Sequence, residues 1–152
     1  MPDDGVPDDG VPDDWQQRRR EAAVEHAATL ERKKAAEGRE ARVLVEEFVT
    51  QARARGLRTS TLLARAHNGR ARYRTGLTGW YLKRNGSLAV TEHGDFYIMS
   101  AASSLRARLT GTTLEPSDPP LAVGVGARDG ESMPLKELLW LRLEAGDEWL
   151  PT

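Results

Sequence analysis

The sequence predicts an α+β fold with a long N-terminal helix, a short second helix, a small antiparallel sheet of three to five strands and a closing C-terminal helix. Three observations predict it: a helical apolar pattern before residue 55, alternating runs between residues 70 and 102, and a leucine face near the C terminus. The length of 152 residues suits one domain, predicted over residues 39–152, preceded by an exposed helix and a tail.

The N terminus is an acidic repeat. Residues 2–14 repeat the unit Pro-Asp-Asp-Gly-Val, which has no apolar face, so we expect residues 1–14 to be a disordered tail. Six aspartates give this segment a charge of −6, whereas residues 16–75 hold fifteen Lys or Arg and seven Glu. The formal net charge of −1 therefore conceals a separation of charge that indicates either two contact sites or a self-screened basic surface.

A helix is predicted from Trp15 to Arg55, with Asp14 as its N-cap and Gly56 at its end. Gly38 is expected to break or hinge it, because glycine costs about 1 kcal/mol relative to alanine inside a helix. Residues 15–38 have few large apolar side chains and are predicted to be exposed or partner-facing. The second part has a core face at spacings of three and four, formed by Ala41, Leu44, Val45, Phe48, Val49 and Ala52.

The remaining elements follow from turn and capping residues. A short helix is expected over Thr61–His67, and hairpin turns are expected at Asn85-Gly86 and at residues 92–95. The predicted strands lie near residues 79–84, 87–91 and 96–101, with further strands over residues 106–114 and 121–125. The final helix is predicted over Pro134–Ala145, with Ser132 as its cap and Gly146 as its stop.

Composition argues against several classes of function. The chain has no cysteine, no signal-peptide pattern and no apolar run long enough to span a membrane, so we expect a cytoplasmic protein without membrane partners. His26, His67 and His93 lack metal-ligand spacing, and the glycine-rich segment 124–130 is more typical of a structural turn than of a phosphate loop. No catalytic, cofactor or metal site is predicted.

The favoured function is a non-catalytic protein-interaction or adaptor module. Between Gln16 and Glu37 an alanine-rich stripe needs something to cover it, and its predicted partner-binding residues are Val24, Ala27, Ala28 and Leu30. Either another protein or a second copy of the chain is the expected partner.

The alternative function is binding of RNA or single-stranded DNA. Arg70, Arg72 and Arg74 alternate along a predicted strand, and aromatic and basic residues follow them: Tyr73, Trp80, Tyr81, Lys83 and Arg84. Arginines that pair with phosphate and aromatic rings that stack on bases are typical of single-strand platforms. A winged helix-turn-helix is a weaker variant of this alternative, since its recognition helix falls on a glycine- and threonine-rich stretch.

Overall fold

The computed structural model describes residues 10–124 and 131–149, and their side chains from Asp13 onwards. The chain divides into two compact units, Met1–Glu37 and Gly38–Thr152. Its elements are α1 (Gly10–Ala54), β1 (Ser60–Ala66), β2 (Arg72–Tyr81), β3 (Leu88–Thr91), β4 (Phe96–Ile98), β5 (Ser100–Ala101), α2 (Leu105–Thr110), β6 (Ala122–Gly124), β7 (Ser132–Pro134), α3 (Leu135–Ala145) and a closing 3₁₀ turn (Gly146–Glu148). The predicted α+β class is confirmed.

Helix α1 differs from the prediction at its start and at Gly38. Its described part starts at Gly10, so Asp14 lies inside the helix and is not its N-cap; residues 10–14 of the predicted disordered tail are therefore helical, and residues 1–9 of it lie outside the described residues. Gly38 lies inside the helix without breaking it. A cost of about 1 kcal/mol does not interrupt a helix that is cooperatively formed on both sides. The predicted end is confirmed by Gly56, whose φ is 67° and whose N–H donates to the Arg53 carbonyl.

The predicted core face of α1 is confirmed. Ala41, Val45, Phe48 and Ala52 are all buried, while Leu44 and Val49 pack partly buried against the same cluster. The Phe48 ring meets the Trp80 ring edge to face, with centroids 5.8 Å apart. Apolar residues at spacings of three and four therefore attach this part of the helix to the sheet.

The main sheet has five strands in the order β4-β3-β2-β1-β5. It is mixed rather than wholly antiparallel, because β1 and β5 run parallel. Both predicted hairpin turns are confirmed: Gly86 has φ 74° and donates its N–H to Lys83, and the Gly94 N–H donates to Thr91. Strands β6 and β7 form a separate two-stranded sheet, and β6 confirms the predicted apolar strand.

The predicted helix over Thr61–His67 is wrong, because these residues form β1 and the turn after it. Leu62, Ala64 and Ala66 are buried in alternation with half-buried Leu63 and Arg65, which is the period of a strand. Small alanines suit this buried face because Tyr73 and Ala107 pack against Ala64 and Ala66. Tertiary packing thus overrides the helical propensity of Leu-Leu-Ala-Arg-Ala.

Two further local predictions are wrong. The strand expected over residues 106–114 is replaced by α2, which Ser104 caps by accepting the Ala107 N–H and which ends at Gly111, φ 83°. Ser132 does not cap the last helix, since it belongs to β7 and the N-cap position is Pro134. The predicted stop at Gly146 is confirmed.

Helix α3 buries Leu135, Leu138 and Leu139 together with a charged residue, Arg142. The Arg142 guanidinium donates from Nε to the Tyr81 carbonyl at 2.8 Å and from Nη1 to the Gly146 carbonyl at 3.0 Å. It also lies 4.5 Å from the centre of the Trp149 ring. Burial lowers the pKa of Arg142, and the nearby Asp147 carboxylate opposes that shift. These bonds join α3 to the sheet and to the closing turn.

Candidate functional site

The predicted partner-binding residues lie on an exposed helical segment. The Val24 side chain is 67% exposed and that of Leu30 is 52% exposed, while Ala27 is exposed and Ala28 half-buried. Val24, Ala27 and Ala28 are related by spacings of three and four and share one side of α1. All side chains from Asp13 to Glu37 are exposed except that of Ala28.

The side-chain contacts of this segment are local to the helix. Asp14 forms an ion pair with Arg18 one turn later, and the Arg19 guanidinium lies 4.6 Å from the centre of the Trp15 ring. Gln17 and Glu21 form another contact at a spacing of four. Such pairs stabilise a helix by only about 0.2 to 0.5 kcal/mol each. They leave the Val24 and Leu30 side chains exposed.

The basic-aromatic region places its arginines and its aromatic rings differently. Arg70, Arg72 and Arg74 are exposed, with Arg72 and Arg74 on β2 and Arg70 in the turn before it. Arg74 donates from Nη2 to the Leu109 carbonyl at 3.0 Å. The predicted alternation of exposed arginines along β2 is therefore present at Arg72 and Arg74.

The aromatic side chains of this region point inward. Tyr73 and Trp80 are buried: the Tyr73 hydroxyl accepts the Ser104 N–H, and the Trp80 indole donates to the Leu57 carbonyl. The Tyr81 ring is half-buried and stacks on Trp149 with centroids 6.4 Å apart, while its hydroxyl accepts the Leu63 N–H. Tyr73 and Trp80 consequently offer no free ring face for base stacking.

The two basic residues that follow β2, Lys83 and Arg84, differ in their surroundings. Lys83 donates from Nζ to the Gly124 carbonyl at 2.7 Å, and Arg84 is exposed in the turn. The winged-helix variant is wrong, because its second helix is β1 and its proposed recognition segment is largely β2. What the region retains for an anionic ligand is positive charge on a sheet.

Sequence reasoning missed Arg65, which the structure places directly opposite Arg72 on the neighbouring strand. The prediction of a helix over residues 61–67 separated these two arginines. The alternation of Leu62, Ala64 and Ala66 was the available signal, but short alanine-containing runs also fit a helix. Strand pairing alone brings Arg65 beside Arg72.

Residues 10–124 and 131–149 contain no group of three His, Asp or Glu side chains able to hold a metal ion, and no described helix is long and apolar enough to cross a membrane. Most of the glycine-rich segment 124–130 lies outside the described residues. No protein-family model, curated protein or solved structure matches the chain.

Proposed function

We propose that the chain is a cytoplasmic, non-catalytic protein-interaction module that binds a partner protein through the helical segment 16–37. The observation that carries the proposal is the exposure of Val24 and Leu30 within a segment whose contacts are local to the helix. Most helical stability in proteins comes from packing an apolar face rather than from propensity. A partner that covered Val24, Ala27 and Leu30 would supply that packing.

Charge indicates which partner fits. Basic clusters at Arg18–Arg20 and Arg32–Lys34 flank the apolar residues on both sides. A second copy of this helix would bring like charges together in a parallel pair and also in an antiparallel pair centred near His26. Like charges placed opposite one another are unfavourable. We therefore propose a partner helix with an apolar stripe flanked by acidic residues.

The test compares two matched double variants in affinity capture from native lysate treated with nuclease. Val24→Asp with Leu30→Asp should abolish capture, because it places unpaired charges inside an apolar contact. Ala22→Asp with Ala36→Asp adds the same charge to exposed positions five and nine residues from Ala27. These control positions lie on the far side of a helix that turns roughly 100° per residue, so capture should persist.

Equal capture by both variants would reject this helix face as the contact. A shift of the purified chain to a dimer in light scattering, lost only in the Val24→Asp/Leu30→Asp variant, would replace the partner protein with a second copy. Both conclusions require that the two variants have the same helicity by circular dichroism.

Nucleic-acid binding is a second candidate, favoured by the exposed arginines at 70, 72 and 74. With Tyr73 and Trp80 buried, it would depend on phosphate contacts. Changing all three arginines to alanine should weaken binding to a single-stranded oligonucleotide. The log–log dependence on salt should also flatten by about 0.7 per lost contact. Absence of oligonucleotide binding by the wild type at low salt would remove this candidate.

A further inference from the structure

Two arginines face each other across the middle of the main sheet. Arg65 on β1 and Arg72 on β2 are direct antiparallel neighbours, so their side chains leave the same face of the sheet. Like charges in such a pair are destabilising. Every ion pair within residues 10–124 and 131–149 uses other arginines, so no described carboxylate forms an ion pair with Arg65 or Arg72.

Arg65 also carries a buried donor without an acceptor. Its Nε is enclosed by the protein and has no hydrogen-bond partner among the described residues. Most buried polar atoms in folded proteins are hydrogen-bonded, and leaving a donor of a charged group unpaired is costly. This position is therefore short of both an acceptor atom and negative charge.

The surroundings of Arg65 supply further donors. A cleft of about 340 Å³ is lined by Arg65, His67, Ser87 and Ser100, together with Ala66, Gly69 and Met99, and its lining contains no acidic residue. Ser100 is the partner of Arg65 on its other side, in the parallel pairing with β5. The Arg72 guanidinium lies beside Gly86, the residue before Ser87: its Nη1 is 3.3 Å from the position that a Cβ on Gly86 would occupy.

We propose that Arg65 and Arg72, assisted by the Ser87 and Ser100 hydroxyls, bind a phosphate group. Guanidinium groups present planar forks of N–H donors that match the oxygens of phosphate, and the bonds are strengthened by charge. One phosphate placed between the two arginines would separate their charges with a counter-charge and could accept from donors on both strands. The volume is at the lower end for ligand pockets, so the ligand is free phosphate or a compact phosphate monoester.

The first experiment follows thermal unfolding of the full chain in inorganic phosphate and in chloride at equal ionic strength. The wild-type melting temperature should rise with phosphate concentration, because a ligand that binds the folded state stabilises it. Arg72→Gln should lose this rise, yet be at least as stable as the wild type in chloride because it removes a like-charge contact. Arg70→Gln is the matched control, because Arg70 is an exposed arginine that is not paired with Arg65 across the strands, and it should keep the full phosphate response.

The second experiment measures affinity by calorimetry and separates charge from geometry. Arg65→Lys keeps the positive charge but loses the fork, so its phosphate affinity should fall at least about tenfold. Inorganic phosphate, phenyl phosphate and a short single-stranded oligonucleotide are compared as probes. Tighter binding of phenyl phosphate than of free phosphate would assign the site to a monoester, and the reverse order would assign it to free phosphate.

Three results would overturn the proposal. The first is a wild-type melting temperature that is the same in phosphate and in chloride up to millimolar concentrations. The second is an equal loss of the phosphate response in Arg70→Gln and Arg72→Gln. The third is binding of the oligonucleotide alone, with a dependence on Arg70 and Arg74, since this would replace a compact ligand with an extended chain. None of these results depends on the N-terminal helix, so the partner proposal is tested independently.

Discussion

Two segments of helix α1 share one backbone conformation and differ in what their side chains do. In residues 13–37 the large apolar residues Trp15, Val24 and Leu30 are each more than half exposed. In residues 38–54 the apolar residues at spacings of three and four are buried or half-buried, with Phe48 only 2% exposed. The two segments thus have the same secondary structure, but the first exposes its apolar residues and the second packs them against the domain.

The difference lies in how apolar residues are spaced. Between Ala41 and Ala52 successive apolar side chains return to one face, which the sheet and α3 cover. Between Trp15 and Leu30 the large apolar residues are six to nine positions apart, and alanine fills the stripe between them. Both segments are helical, but only the segment with a dense apolar face forms part of a core.

The largest expected effect that tests this comparison is the loss of Phe48. Phe48→Ala should lower the free energy of unfolding by about 3 to 5 kcal/mol, because it empties a buried site against Trp80. Urea denaturation followed by circular dichroism measures it. Val43→Ala, at a half-exposed position on the same helix, should change stability by less than about 0.5 kcal/mol. Similar losses in both variants would abolish the distinction between a buried and an exposed face.

A smaller effect is expected at Gly38, where the two compact units meet in the sequence. Apart from its chain neighbours and the adjacent helix backbone, no atom lies within 4 Å of the position that a Cβ would occupy there. Gly38→Ala should therefore raise the free energy of unfolding by about 0.5 to 1 kcal/mol, the usual gain of alanine over glycine inside a helix.

Gly79 provides the opposite control for this substitution. A Cβ on Gly79 would stand 2.1 Å from the Val90 carbonyl oxygen and 2.6 Å from the Thr91 Cα, so Gly79→Ala must displace backbone in the sheet and should destabilise the protein. If Gly38→Ala also lowered stability, residue 38 would not be an ordinary helical position, and a hinge there would become the better interpretation.

Local signals in the sequence predicted the elements whose determinants are close together in the chain. Asn85-Gly86 predicts its hairpin because glycine reaches positive φ easily and the asparagine side chain accepts the Ser87 N–H. Gly56 and Gly146 predict helix ends for the same conformational reason. The leucine face of α3 follows from its spacing alone.

The errors occur where a distant contact decides the conformation. Residues 61–67 are compatible with a helix by composition, but residues 60–65 pair with Arg72–Gly79 on one side and residues 65–66 pair with Ser100–Ala101 on the other. Tyr73 and Trp80 suggested a stacking platform beside arginines, yet their polar atoms bond to Ser104 and Leu57 across the fold. Neither these strand partners nor these hydrogen-bond partners can be identified from the local sequence pattern.

Signals between residues a few positions apart were enough to predict the fold class, the core face of residues 41–52, both hairpin turns and the ends of two helices. The tertiary structure alone decided that residues 60–66 are a strand, that Tyr73 and Trp80 are buried, and that Arg65 lies opposite Arg72. Strand pairing joins residues from separate parts of the chain, and the burial of each side chain depends on which strand or helix packs over it.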